Sequence, residues 1–229
     1  MKDQTTGLTL VEHSVRLEKR ENASLILTSE VPLDPVVAHT GIWLEKWAAE
    51  TPDTVFLAER DGAGWRELGY GEVLRRVKAI AASLAARGLG QDTPILIMSG
   101  NSVDHALLSF GAQWAGVPTV PLAEQYSLIE EAHFRLQYAI KKTKPKLAFV
   151  DDAARYGKAI ALAELDGIEV VASLPEGAPR PVTAFADLLK GDASVDLDAV
   201  HAKVGPDTLA KILFTSGSSS DPKGVMTTQ

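Results

Sequence analysis

The chain of 229 residues is long enough for one domain or for one and a fraction, and its 45% hydrophobic and 23% charged residues exclude a disordered or fibrous protein. Its formal net charge of −7 and its lack of a long basic run argue against nucleic acid or an anionic membrane as a partner. The absence of cysteine excludes disulfides, thiolate metal sites and cysteine nucleophiles.

Neither a secretory leader nor a membrane span is predicted. The first residues lack the basic-then-apolar order of a secretory signal. No apolar run approaches the roughly 20 residues that a spanning helix needs. We therefore expect a cytoplasmic protein with no membrane and no nucleic acid among its partners.

The first 35 residues are typical of a β-hairpin. Apolar and polar residues alternate over residues 10–30, with turn-forming residues in the middle. Pro32 and Pro35 then interrupt regular structure. We expect residues 1–35 to form an N-terminal hairpin extension and residues 36–229 to form the main domain.

A short helix with two tryptophans opens the main domain. Thr40 is predicted to cap it and Pro52 to end it. Trp43 and Trp47 are interpreted as core residues rather than as a ligand site.

Two strands and a long helix come next. The strands are predicted at residues 55–60 and 65–70, around a glycine-rich loop. A helix with apolar residues on one face follows from Val73 to Leu84, and Gly88 occupies the position of a C-terminal cap.

From residue 94 onwards strands and helices alternate, which predicts an α/β fold with a mainly parallel sheet and helices on both faces. Strands are predicted at 94–98, 117–122, 146–150, 168–172 and 209–214. Helices are predicted from Asn101 or Ser102 to Gly116, over 127–142, from a cap at Asp152 to about Leu165, and over 183–190.

A dense run of hydroxyl side chains follows the last predicted strand. Glycine and small residues let backbone N–H groups face an anion, and hydroxyls add hydrogen-bond donors. Lys223 supplies a mobile positive charge, and ligands of open α/β sheets bind at the carboxyl ends of strands. The run therefore predicts a polyphosphate site whose hydroxyl donors are Thr215, Ser216, Ser218 and Ser219.

Two other interpretations of this run were weighed. The G-x-x-x-x-G-K-[ST] loop of common NTPases would need glycine at 222 and serine or threonine at 224, but the chain has Pro222 and Gly224, which rejects it. A solvated serine-rich linker fits the composition equally well. The alternative function is therefore a non-catalytic α/β binding or interaction domain with a serine-rich tail.

The order of the residues resembles the phosphate-binding signature of the adenylate-forming enzymes, the family of acyl-CoA synthetases, luciferases and peptide-synthetase adenylation domains. That signature usually reads T-S-G-[ST]-T-G-x-P-K-G-V. The matching residues are Thr215, Ser216, Gly217, Ser218, Pro222, Lys223, Gly224 and Val225. Ser219 keeps the hydroxyl of the usual threonine, whereas Ser220 replaces the usual glycine.

The resemblance covers most of the chain from about Trp43. Residues 88–126 resemble the family's strand, N-S turn, helix, A-G and V-P-L-x-x-x-Y run, with Glu124 where proline is common. Among subfamilies the chain most resembles feruloyl-CoA synthetases. The segments that carry this likeness are the N-terminal hairpin and residues 47–50, 52–53, 56–60, 126–128 and 227–229.

The resemblance implies a two-step reaction. A carboxylate attacks the α-phosphate of ATP to give an acyl-adenylate and pyrophosphate, and coenzyme A then displaces AMP to form a thioester. Mg²⁺ would offset the phosphate charge. The residues implied to hold the β- and γ-phosphates are Thr215, Ser216, Gly217, Ser218, Ser219 and Lys223. The implied partner is a small aromatic or acyl carboxylate, of the hydroxycinnamate type.

The remaining polar residues have ordinary explanations. The histidines have no metal-ligand spacing, so no metal site is predicted. Asp151 and Asp152 suit a helix cap, and Glu130-Glu131 a first helical turn. The lysines at 141, 142, 144 and 146 suit a helix C-terminus.

The family's adenine, ribose and acyl sites, its hinge and its catalytic lysine lie downstream of this loop. No catalytic residue can therefore be assigned before Gln229. We expect an incomplete N-terminal domain that is inactive alone. We also expect self-association through apolar surface around Trp43 and Trp47.

Overall fold

The computed structural model of the protein describes residues 14–33, 35–215 and 222–229. Its contacts divide the chain into two units, Met1–Val36 and Val37–Gln229. In the first unit, strand β1 (Val15–Lys19) pairs antiparallel with strand β2 (Leu25–Ser29). The predicted hairpin is confirmed. Nearly all of the side chains described in these two strands are exposed, so the described strands bury no core between them.

The second unit alternates helices with strands. In chain order they are α1 (Gly41–Glu50), β3 (Val55–Asp61), β4 (Gly64–Gly69), α2 (Tyr70–Ala86), β5 (Ile95–Ile97), α3 (Val103–Trp114), β6 (Thr119–Pro121), α4 (Gln125–Leu128), α5 (His133–Thr143), β7 (Leu147–Asp152), α6 (Gly157–Ile160), β8 (Glu169–Leu174), β9 (Thr183–Ala184), α7 (Phe185–Leu188), α8 (Leu197–His201), β10 (Leu209–Phe214) and β11 (Gly224–Thr228). Single turns of 3₁₀ helix lie at Glu130–Ala132 and Ala163–Leu165.

Seven strands form one sheet in the order β11, β10, β6, β5, β7, β8, β9. All neighbours are parallel except β10 and β11. The central strands are apolar on both faces because helices cover both. Ile95 and Ile97 pack with residues of α2 and α3, whereas Leu96 packs with residues of α5 and α6. The prediction of a mainly parallel α/β sheet with helices on both faces is confirmed.

Helix α3 has the boundaries that its sequence predicts. The Ser102 hydroxyl accepts a hydrogen bond from the backbone N–H of His105 at 3.1 Å, which caps the N-terminus. Gly116 follows the helix with φ of +68°, a left-handed conformation that glycine adopts without strain. The same holds for Gly88 after α2, with φ of +71°.

The long helix predicted over residues 127–142 is wrong. The chain forms α4, one 3₁₀ turn and α5, separated at Ile129, whose backbone is extended. The buried carbonyl of Ser127 accepts a hydrogen bond from His133 Nε2 at 3.0 Å instead of continuing a helix. Lys144 ends α5 in the left-handed conformation. A hydrogen bond across the break thus replaces the continuous helix.

Two other predicted helices are shorter than expected. Asp152 does cap a turn, because its Oδ1 accepts the N–H groups of Ala154 and Arg155 at 2.9 and 3.0 Å. However, only α6 and one 3₁₀ turn follow before Leu165. Over residues 183–190, β9 pairs with β8 before the single turn of α7 begins.

Two predictions about helix α1 are wrong. Thr40 does not cap it; the Thr40 hydroxyl donates to Gln113 Oε1 at 3.0 Å. Trp43 and Trp47 are not core residues, since they are 53% and 40% exposed. Leu44 alone of this helix is buried. The expected self-association through this surface stays a prediction.

Candidate functional site

The ends of the predicted phosphate loop lie at the carboxyl end of β10. β10 and β11 pair antiparallel up to Phe214 and Gly224. Beyond them, the backbone N–H of Thr215 donates to the carbonyl of Lys223 at 3.0 Å, so the two ends of the loop are held together. The side chains of Thr215 and Lys223 are exposed.

Four of the six predicted site residues, Ser216, Gly217, Ser218 and Ser219, lie outside the described residues, as does Ser220. Thr215 and Lys223 are the two that the structure brings together. β10 lies next to β6, with Lys211 opposite Thr119. The loop therefore leaves the sheet at the edge where the parallel strands end, which is where ligands of open α/β sheets bind.

A second group of polar residues lies at the same edge of the sheet, beyond β5, β6 and β7. Tyr156 is fully buried, and its hydroxyl donates to Glu124 Oε1 at 2.8 Å. Arg155 Nη2 lies 2.9 Å from the same oxygen, and Asp151 Oδ2 accepts the backbone N–H of Gly100 at 3.2 Å. These contacts tie together the segments that follow three neighbouring strands.

The surroundings of Tyr156 keep its hydroxyl protonated. Burial raises the pKa of this phenol above its ordinary value, and the hydrogen bond to Glu124 and the nearby Asp151 carboxylate add to the rise. A neutral tyrosine hydroxyl can only donate to Glu124, so it fixes the direction of that carboxylate.

The sequence reasoning noted Glu124 as a departure from the family and missed Arg155 and Tyr156. A signal was present, because both residues lie in the short turn that follows Asp152, the last residue of β7. Asp151 was interpreted as part of a helix cap, but its described contacts join strand ends instead.

Arg66 fastens the β3–β4 hairpin to α3. Its guanidinium lies 2.8 Å from Glu59 Oε1 and 2.7 Å from Asp104 Oδ1. Glu59 also accepts the N–H of Val103 at the start of α3, and Asp104 accepts the hydroxyl of Ser173 at 2.8 Å. Burial opposes the charge of Arg66, but the two carboxylates outweigh it and raise the pKa of Arg66. The network thus ties the β3–β4 hairpin and the start of α3 to β8.

His39 and His201, interpreted as ordinary histidines, lie together beside α3. Their ring centroids are 4.4 Å apart, and His201 stacks on Trp114 at 4.0 Å. His201 Nδ1 lies 2.9 Å from the Trp114 carbonyl and donates to it. Burial is the main cause that lowers the pKa of His39, and the neighbouring His201 lowers it further. The nearby Glu45 carboxylate partly offsets this lowering.

We predict that the free energy of unfolding falls as the pH drops from 7.5 to 5. Because the pKa of His39 is lowered in the folded chain, the unfolded chain binds more protons below about pH 6.5, so stability present above that pH is lost on acidification. Urea unfolding at both pH values should show a weaker pH dependence for His39→Gln than for the wild type. Equal pH dependence would contradict this assignment.

A cavity of about 520 Å³ lies along β10 and β11. Ile212, Phe214 and Met226 contribute apolar walls, and Lys223 and Gly224 line the end nearest the loop. The described base of the predicted phosphate loop thus forms one end of the cavity.

Residues 14–33, 35–215 and 222–229 contain neither a candidate metal centre nor a membrane-spanning helix. No group of three or more histidine, aspartate or glutamate side chains in these ranges could hold a metal ion. In the same described part of the chain, no helix is long and apolar enough to cross a membrane.

The mainly parallel sheet with helices on both faces places the chain in the α/β class of proteins. The sequence model of the family described as "AMP-binding enzyme" matches residues 44–229. The chain belongs to this family.

Similar proteins span several named activities. The chain is 28% identical to indigoidine synthase of Streptomyces lavendulae over 80% of its own length and 13% of the synthase. It is 29% identical to the 4-hydroxybenzoate–CoA/benzoate–CoA ligase of Rhodopseudomonas palustris, over 70% of the chain and 28% of the ligase.

Among solved structures, a fatty acyl-adenylate ligase from L. pneumophila, in complex with acyl adenylate and pyrophosphate, superposes with a TM-score of 0.56. The two chains are 20% identical, and the match covers 80% of this chain and 29% of the ligase. This likeness supports the fold. The chain spans less than a third of each of these three proteins.

Proposed function

We propose that the chain is the N-terminal, phosphate-binding part of an adenylate-forming acyl- or aryl-CoA ligase. The observation that carries the proposal is the family match through residue 229, combined with a loop whose ends are held together at the carboxyl end of β10. When bound, ATP supplies the reactive α-phosphate, Mg²⁺ offsets phosphate charge and coenzyme A supplies the thiol.

The described ends of the loop suit a polyphosphate. Lys223 is exposed and can place its ammonium against phosphate oxygens. The Thr215 hydroxyl makes only a long contact of 3.4 Å with the Lys223 carbonyl, so it can turn toward a ligand at little cost. In this proposal Ser216, Gly217, Ser218 and Ser219 supply the remaining donors.

The role of these residues is electrostatic. Lys223 and the hydroxyls stabilise the negative charge that develops on the leaving pyrophosphate, and they transfer no proton. The carboxyl group of the substrate is the nucleophile, so no nucleophilic side chain is needed in this part of the protein. The catalytic groups of the reaction are accordingly not assigned to this chain.

The proposed substrate is an aromatic carboxylate of the hydroxycinnamate type. An aromatic acid is supported by the likeness to a ligase named for benzoate and 4-hydroxybenzoate. The hydroxycinnamate type rests on the likeness to feruloyl-CoA synthetases in segments such as residues 47–50 and 126–128. A cytoplasmic location also belongs to the proposal, since ATP and coenzyme A are both available there.

Substrate choice can be tested with the longest polypeptide that the gene encodes from these residues onward. Acids such as ferulate, benzoate, hexanoate and phenylalanine are each incubated with ATP, Mg²⁺ and coenzyme A, and thioester formation is followed. We expect ferulate to give the highest kcat/KM. Preference for any of the other acids would refute the hydroxycinnamate type, and a coding sequence that stops at Gln229 would favour the non-catalytic domain.

A further inference from the structure

An aromatic groove lies on the surface of the second unit, between α1, β3, α2 and α3. We define it by Trp43, Trp47, Phe56, Tyr70 and Phe110, with Lys46 at its rim. Its volume is about 570 Å³, which lies within the range of small-molecule sites. None of these residues belongs to the predicted phosphate loop.

The walls of the groove are aromatic rings in mutual contact. Phe56 stacks on Tyr70 with centroids 4.5 Å apart, and it meets Phe110 at 5.6 Å. Trp47 lies 6.3 Å from Tyr70. Trp43 and Trp47 project from α1 one turn apart and stay 53% and 40% exposed. Large aromatic surfaces are thus held in place and left open to a ligand.

One positive charge accompanies these rings. The Lys46 ammonium lies 4.7 Å from the centroid of the Trp47 ring. Of the described residues that line the groove, none is acidic, and the adjacent Glu45 is paired with Lys78 at 3.2 Å. The charge at the rim is therefore complementary to an anion.

We propose that the aromatic groove binds a small planar aromatic carboxylate. The ring of the ligand lies against Trp43 and the Phe56–Tyr70 pair, and its carboxylate meets Lys46. The site goes beyond the proposed function and does not rest on it, because binding here needs neither ATP nor the phosphate loop.

A second copy of the chain fits the groove less well than a small molecule does. A stable dimer needs about 800 Å² of complementary surface from each partner, whereas the groove is a concavity of ligand size. Binding of a second copy would nevertheless change the tryptophan signals in a different way, so the NMR titration described next distinguishes it from binding of a small molecule.

The test uses the indole N–H signals of the four tryptophans in a ¹H–¹⁵N spectrum of the 229-residue chain. Single Trp→Phe variants assign the signals. Titration with trans-cinnamate, without ATP, should shift the signals of Trp43 and Trp47. The signal of Trp65 should stay in place, which makes it a matched control, since Trp65 is 54% exposed and lies outside the groove.

Variants then separate stacking from charge. Trp43→Ala should raise the Kd for cinnamate about fivefold to tenfold, whereas Trp65→Ala should leave it unchanged. Lys46→Gln should raise the Kd for cinnamate about threefold. It should leave the Kd for the neutral amide, cinnamamide, unchanged. Circular dichroism confirms that each variant is folded.

Three results would overturn the proposal. They are the absence of shifts at millimolar cinnamate, equal shifts of Trp65, and equal binding of cinnamate and cinnamamide. Shifts of Trp43 and Trp47 that follow protein concentration without ligand, together with a dimer in light scattering, would assign the groove to a second copy instead.

Discussion

Lys223→Ala is expected to slow adenylate formation about 100-fold in the longest polypeptide that contains this chain, the loss typical of removing one donor to developing charge. Lys223 is exposed beside the carboxyl end of β10 and is the residue of the proposed phosphate site that carries a full positive charge. Its loss should weaken stabilisation of the leaving pyrophosphate. Thioester formation from a preformed adenylate involves no pyrophosphate, so it should slow far less.

Rapid quench measurements of the two half-reactions provide this comparison. Lys203→Ala is the matched control, because Lys203 is also exposed but lies outside the loop. Equal slowing of both steps by Lys223→Ala, or unchanged rates, would remove Lys223 from the proposed site.

Gly69→Ala is expected to destabilise the second unit by about 3 kcal/mol. A Cβ at Gly69 would lie 2.6 Å from the carbonyl oxygen of Pro52 and 3.2 Å from the carbonyl carbon of Asp53. That Pro52 oxygen already accepts the N–H of Gly71 at 3.0 Å. Backbone atoms held in this way cannot yield as a flexible side chain can, so the junction of β4 and α2 must shift.

Gly64→Ala is the matched control for this prediction, since Gly64 begins the same strand. A Cβ there meets nothing closer than the Asp61 carbonyl oxygen at 3.6 Å. We expect a change of less than about 0.5 kcal/mol in urea unfolding. If the two variants have the same stability, the close approach at Gly69 does not constrain the fold.

Most of the fold was predictable from interactions between residues that are close in sequence. The unbroken apolar strands, the Ser102 cap and the glycines at 88 and 116 act through their nearest neighbours, so their effects are readable from sequence. The segment over residues 127–142 was mispredicted because its break depends on a specific hydrogen bond from His133 Nε2 to the buried Ser127 carbonyl six residues earlier. Periodicity alone does not report such a contact.

The candidate site, like the fold, was predicted only in part. Thr215 and Lys223 were predicted from residue type and order, and they lie together at the end of β10. The Glu124–Tyr156 hydrogen bond joins the segments that follow β6 and β7, two strands that are consecutive in sequence but separated by β5 in the sheet. Its prediction required the strand order, which residue patterns alone did not supply. The exposure of Trp43 and Trp47 was also missed by the core interpretation, since large aromatic residues are usually buried.

Carboxylate-dependent exchange of labelled pyrophosphate into ATP tests the central claim most directly. The exchange reports adenylate formation alone and needs no coenzyme A. With the longest polypeptide that the gene encodes, we predict exchange that requires an aromatic acid, persists in Lys203→Ala and falls about 100-fold in Lys223→Ala. Exchange that is absent with every acid, or unaffected by Lys223→Ala, would contradict the account.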